Sequence, residues 1–312
     1  MKTNLKNSFS KTLLALGIAS ATTVSHAGSF GLIEQGASGQ GSAYAGAAAI
    51  AEDASTIYFN PAGMTKLSGQ QIVVAGHIIK AVGDYTDQGS TNVTGPDSKT
   101  DETGFIPNFY YSAELGNDVF AGVGVNVPFG LATEYEDGWI GRYHALRSEI
   151  TSININPSIA WKATDKISVG FGINIQYLDL ELTNALNTGA ICFGFTGSTT
   201  CGPAPSVVDS AVKLEGDSTE IGWNAGLLFD VTEQTRVGVA YRSSIKHNVD
   251  GKTTYNLDPS LQIVADGASS PPPGGTGFNI LQSGALTASA ELPELFSVSL
   301  VHDIDAKWTV LA

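Results

Sequence analysis

Cys192 and Cys201 are the only cysteines among 312 residues, nine positions apart in a stretch rich in Gly, Thr and Ser. In an oxidising compartment this pair is expected to close one loop disulfide. A metal site is the weaker reading, since no His and no further Cys lies nearby, and a free thiol pair is weaker still. None of the five histidines stands in a recognisable nucleophile–base partnership. His144, close to Arg142 and Arg147, has the residue types to hold an anionic head group, although a solvated loop cluster is the stronger reading. Glu52 and Asp53 adjoin one another without a partner base, which fits a charged surface. There is no GxSxG, no HExxH and no phosphate-cradling Gly loop. The expectation is no enzyme, no metal and no cofactor.

The elements that must position these residues are strands. Ile167, Val169, Phe171, Ile173, Ile175 and Tyr177 fall on one face of an extended segment, and Ser168, Gly170, Gly172, Asn174 and Gln176 on the other. Such a run suits a tilted strand crossing a bilayer, which needs about 9–11 residues. In hydrocarbon every backbone amide needs a partner, so strands of this kind survive only in a closed barrel. The predicted class is therefore all-β, a transmembrane antiparallel β-barrel with lipid outside and a polar or mixed interior.

Bulk composition agrees. Charged residues make up 15% of the chain, against about 25% in a soluble domain, and 36 glycines suit close strand approach and many turns. A secreted β-rich protein would share these numbers. At the N-terminus Lys2, Lys6 and Lys11 precede a short apolar run over 13–21, and Ser25 and Ala27 supply small residues before a cleavage point. Residues 1–27 thus read as a secretory signal peptide. Its removal leaves 13 basic against 30 acidic residues and a net charge of −17. An acidic envelope protein lacks the clustered cations that nucleic acid requires.

Short polar breaks are predicted at 116–118, 163–166, 230–235 and 303–306, and long irregular stretches at 85–103, 129–147, 183–216 and 250–285. Tight turns alternating with long loops mark an outer-membrane barrel. Between them Val119, Ala121, Val123, Val125 and Val127 share a face. Ile153, Ile155, Ile159 and Trp161 share another, and Val237, Val239, Tyr241 and Ile245 a third. Trp161 and Trp308 sit near short turns, where an aromatic girdle meets the interface. About nine strands are counted from Ile72 onward within 68–312, an odd number for such a barrel, and a fragment is the favoured explanation. Residues 28–67 differ, being rich in small residues and followed by Asn60, Pro61, Ala62. They are expected to form a plug inside the barrel, with a flexible tail as the alternative.

Gly39 and Gly41, Ala43 and Tyr44, the run 50–54 ending in Glu52, Asp53 and Ala54, and Asn60, Pro61 and Ala62 together resemble the N-terminal hatch of the FadL-type outer-membrane transporters for long-chain fatty acids. Further matches follow in order at 130–134, 222–226, 241–243 and 292–294. Any one is weak, and their order and spacing are specific. The resemblance implies a fourteen-stranded barrel, of which roughly the last third is expected to be absent here. It implies a hatch carried by Asp53, Asn60, Pro61 and Ala62. It also implies a third strand kinked at Asn126, Pro128, Phe129 and Gly130, leaving a gap through which ligand exits sideways. Pro128 donates no hydrogen bond and Gly130 permits a bend, although an ordinary strand end would read the same. Ligand capture is implied in the loops carrying Ile191, Phe193 and Phe195 and Leu261, Ile263 and Val264. The family grips the fatty-acid carboxylate with basic residues inside the barrel. Here Asp179 and Glu181 follow Tyr177, and Asn184 stands where an Arg is expected.

The expected function is passive outer-membrane transport of a hydrophobic ligand, a fatty acid first and aromatic or aliphatic hydrocarbons as the alternative. Flow is downhill, because the chain carries no energy-coupling motif. The expected partners are that ligand, outer-membrane lipid and lipopolysaccharide, with the protein a monomer. An adhesive or structural barrel serving as a phage receptor, and an outer-membrane lipase or acyltransferase, are the rival readings.

Overall fold

The computed structural model describes residues 30–90, 93–196, 209–269 and 281–312. The expected signal peptide and Cys201 lie outside these residues. Twelve strands form one antiparallel sheet: β1 (Gln70–Tyr85), β2 (Ser98–Gly116), β3 (Val119–Asn126), β4 (Gly130–Glu134), β5 (Arg147–Lys162), β6 (Ile167–Leu186), β7 (Ser210–Thr232), β8 (Thr235–Arg242), β9 (Ile245–Asn256), β10 (Gly284–Leu292), β11 (Leu295–Asp303) and β12 (Thr309–Leu311). They lie in nine tracks, because β3 and β4 both pair β5, β8 and β9 both pair β7, and β10 and β11 continue one another against β9 and β8.

Side-chain alternation dictates the wall. On β5 and β6 the odd-numbered Ile153, Ile155, Ile159, Trp161, Phe171, Ile173 and Ile175 are exposed, whereas Ser152, Asn154, Asn156, Ser168, Asn174 and Gln176 are buried. A soluble protein would invert this order. Here apolar groups face lipid and amides face the interior, as in a transmembrane barrel. Among the described residues no helix is long and apolar enough to cross a membrane. The outward belt ends abruptly at one cross-strand rung, where Thr151, Asp179, Asp217 and Asp250 stand side by side. The outer edge of the hydrocarbon lies there.

The tight turns fall where the residues place them. Asn117 (φ 53°) and Asp118 (φ 61°) are both left-handed, the geometry that a two-residue hairpin needs and that Asn and Asp tolerate. Two expectations fail. Among the described residues the stretches at 183–216 and 250–285 are largely strand and helix, because β6, β7 and β9 continue past the belt, whereas 85–103 is irregular up to Ser98, where β2 begins. Ile245 does not share the outward face of Val237, Val239 and Tyr241. It is buried, since the track breaks at Ser243 and Ser244, and the extra residue turns the next strand's side chains over.

The N-terminal segment fills the hollow. A 3-10 turn (Ser38–Ser42), helix α1 (Ala47–Ile50), helix α2 (Thr56–Phe59) and a second 3-10 turn (Pro61–Lys66) follow one another. Ile57 and Met64 are fully buried with Ala54, Leu67, Tyr110, Phe120 and Ala160. This is the main apolar core, and it joins the segment to β2, β3 and β5.

Candidate functional site

The ladder between β2 and β3 runs only from Phe109 and Val125 down to Gly116 and Val119. Above it β4 pairs β5 alone, so the upper half of β2 has no strand partner on that side. The break falls at Val127, Pro128 and Phe129, and a cavity of about 490 Å³ occupies the gap. Leu32, Ile79, Phe105, Ile106, Leu131 and Ile150 line it, with Glu102, Glu134, Arg147 and Glu149 also on its walls. A partly apolar opening through a barrel wall at the upper end of the outward belt can pass a hydrophobic molecule sideways out of the lumen.

The N-terminal segment holds the break. Gln35 Nε2 donates to the Val127 carbonyl at 2.9 Å, Leu32 N to the Pro128 carbonyl at 2.9 Å and Gly130 N to the Phe30 carbonyl at 3.1 Å. Ser152 Oγ meets Phe129 twice, accepting from its N at 2.9 Å and donating to its carbonyl at 2.8 Å. Backbone groups that β2 would otherwise satisfy are thus satisfied from inside. Asn126, the last residue of β3, is buried and accepts from Asn154 Nδ2 at 3.2 Å. Phe129 turns inward against Phe30 and packs with Leu178, Val249 and Leu292. The kink residues are therefore brought together with Leu32, Gln35 and Ser152, which the sequence did not single out.

Asn60 is the centre of the contact between segment and wall. Its Nδ2 donates to the Ala48 carbonyl at 2.7 Å and the Leu227 carbonyl at 3.0 Å, and its Oδ1 accepts from Ala62 N at 3.0 Å. Pro61 starts the second 3-10 turn, where its missing N–H costs nothing. Asp53 stays local, its carboxylate accepting from Ser55 N at 2.8 Å. Inward-facing glycines seat the segment. A Cβ at Gly170 would overlap Ala62, at Gly226 Asn60, at Gly238 Ala48, and at Gly122 Ile57 and Met64. Glycine on the non-lipid face of a strand is the signal that could have found them.

Charges from the wall complete the seat. Lys66 pairs with Asp230, Arg236 Nη1 donates to the Ala49 carbonyl at 3.2 Å, and Thr65 Oγ1 donates to Ser168 Oγ at 2.8 Å. Arg242 is buried, donates to Asn174 Oδ1 and to the Tyr58 carbonyl, and lies 4.4 Å over the Tyr58 ring. Among the described residues no carboxylate forms a salt bridge with it.

The expected capture loops contain helices α3 (Thr188–Thr196) and α4 (Pro259–Ser269). Phe193 is exposed and Ile191 half-buried, whereas Leu261 is fully buried and presents no surface to an arriving ligand. The side chains of Phe195, Ile263 and Val264 lie outside the described set. Cys192 is disulfide-bonded. The basic cluster is not free: Arg142 Nε donates to Asp209 at 2.6 Å, and Arg147 is ringed by Glu134, Glu149 and Glu181.

A profile of the family described as "Outer membrane protein transport protein (OMPP1/FadL/TodX)" matches residues 18–312. The chain is 30% identical over 321 residues to the long-chain fatty acid transport protein of Escherichia coli strain K12, covering 98% of this chain and 70% of that one. It is 32% identical over 335 residues to outer membrane protein P1 of Haemophilus influenzae, covering 97% and 68%. In fold it resembles a Pseudomonas aeruginosa FadL homologue, with TM-score 0.71 and 21% identity over 90% of this chain and 67% of that one. The Ralstonia pickettii toluene transporter TbuX gives 0.57 and 15%, over 82% and 64%. The chain thus spans about two thirds of each of these proteins.

Proposed function

Because this chain belongs to the OMPP1/FadL/TodX family of outer-membrane transport proteins, we propose that it carries hydrophobic small molecules passively across the outer membrane, long-chain fatty acids foremost. Residues 28–67 act as the hatch. The ligand reaches the lumen past the loops that carry α3 and α4 and leaves sideways between β2 and β4. The observation that carries this reading is the gap itself, lined in part by Leu32, Ile79, Phe105, Leu131 and Ile150 and set at the upper end of the outward belt. The bonds from Phe30, Leu32 and Gln35 to the break tie its shape to the hatch, so hatch movement regulates passage.

An aromatic or aliphatic hydrocarbon is the second reading, favoured by a specific departure. Asn184, opposite buried Val212, stands where a carboxylate-gripping Arg is expected. A fatty carboxylate leaving water needs a paired cation, whereas a neutral ligand does not. Uptake into vesicles reconstituted with the protein, measured for a labelled fatty acid and for an alkylbenzene, tests both. Faster entry than into empty vesicles is expected. Entry of neither would overturn the transport reading in favour of an adhesive or structural barrel, and release of cleaved lipid would point to an enzyme.

A further inference from the structure

The wall has a second discontinuity. Strand β7 pairs with β9 from Ala211 to Asp217 and with β8 from Asn224 to Thr232. Between these ladders residues 218–222 have no backbone rungs on that side. The neighbouring tracks break at the same height. β8 ends at Arg242 opposite Leu295, and β9 starts at Ile245 opposite Leu292, leaving Ser243 and Ser244 facing Pro293 and Glu294. This height lies just below the rung of aspartates, beside outward-facing Ile221 and Trp223, and so within hydrocarbon.

Lipid offers no hydrogen bonds, so backbone groups freed there must find protein partners. Ser243 N donates to the Trp223 carbonyl at 2.9 Å, and side chains supply further partners. Glu220 Oε1 accepts from Asn248 N at 3.3 Å and from Asn248 Nδ2 at 3.1 Å. Ser243 Oγ accepts from Trp223 N at 3.0 Å, and Ser218 Oγ lies 2.8 Å from His247 Nδ1. The Ile245 side chain packs directly against Gly222. A Cβ built on Gly222 would lie 2.6 Å from Ile245 Cγ1 and 2.7 Å from its Cδ1. On the inner side, a cavity of about 500 Å³ beside the N-terminal segment reaches Arg242, Pro293, Glu294 and Leu295. Ladder rungs break only together, whereas a side-chain bridge opens by rotamer changes.

We propose that this seam is a second lateral portal, shut here by Ile245, through which an uncharged hydrophobic molecule moves between lumen and outer leaflet. Glu220 within the seam and Asp217 and Asp250 above it make the path unfavourable for a carboxylate. The inference rests on the transport reading, but its first test does not. Labelling of Ser218→Cys by a lipid-soluble maleimide, in the protein embedded in vesicles, reads access to the seam directly. Slow labelling that accelerates severalfold when Ile245→Ala is added is expected. Labelling absent in both, or unaffected by Ile245→Ala, overturns the portal. In a Gly130→Trp background, residual alkylbenzene uptake that rises with Ile245→Ala and falls with Ile245→Trp is expected. Uptake indifferent to residue 245 also overturns the portal and leaves the transport reading intact.

Discussion

Asn60 and Gly226 fit one another as plug and socket. The Asn60 side chain lies where a Cβ on Gly226 would have to be, and its Nδ2 bonds to the carbonyl of the adjoining Leu227 at 3.0 Å. Gly226→Ala therefore pushes the N-terminal segment off the wall. Overpacking of this kind costs about 1–3 kcal/mol. A lower unfolding temperature in detergent and faster proteolysis at Lys66 are expected, and an unchanged melting curve would contradict the socket.

Arg242 joins the same segment to the wall through Asn174 and the Tyr58 carbonyl. Arg242→Met leaves the Tyr58 carbonyl without its donor, while Asn174 Oδ1 keeps the bond from Asn154 Nδ2 at 3.0 Å, at a cost of about 1–3 kcal/mol. Lysine keeps the charge but not the planar fork, so Arg242→Lys should recover less than half of the loss. Denaturant unfolding of the two variants measures it. Full recovery by lysine would mean that charge alone matters.

Tyr143, in the loop before β5, donates to Asp209 at 2.7 Å and accepts from Arg142 Nη2 at 2.9 Å. Burial first, then the bond and charge of Asp209, push its phenol up to about 12 against the opposing Arg142. Below pH 10, the ordinary value, it is neutral in both folded and unfolded chains. Between pH 10 and about 12 the unfolded chain alone loses the proton, so stability falls as pH rises through that window. Tyr143→Phe removes this loss, and its stability should decline less there than that of the parent. Identical alkaline slopes would show that the phenol stays free.

The wall was legible in the residues because lipid imposes strict alternation on strands such as β5 and β6. Alternation fades where strands leave the membrane. On β7 Lys213 and Glu215 are half-buried like their neighbours Leu214 and Gly216, and those segments read as loops. The shift at Ser243 and Ser244 left no sign, because an apolar Ile245 fits either face. The resemblance at Asn60, Pro61 and Ala62 pointed to the contact with the wall but not to its other half. Gly122, Gly170, Gly226 and Gly238 are empty positions whose meaning comes from what packs into them. Gln35 and Ser152 likewise act through partners at the break that lie far away in sequence.

Gly130 begins β4 beside the gap, and a Cβ there would lie 3.1 Å from Leu32 Cδ1. Gly130→Trp fills the opening while leaving the β4–β5 rungs in place. The decisive measurement is fatty-acid uptake into vesicles carrying this variant, with folding checked by its melting temperature. Uptake reduced severalfold in a folded barrel is the predicted result. A folded Gly130→Trp protein that carries fatty acid at the parental rate would contradict exit through the wall between β2 and β4.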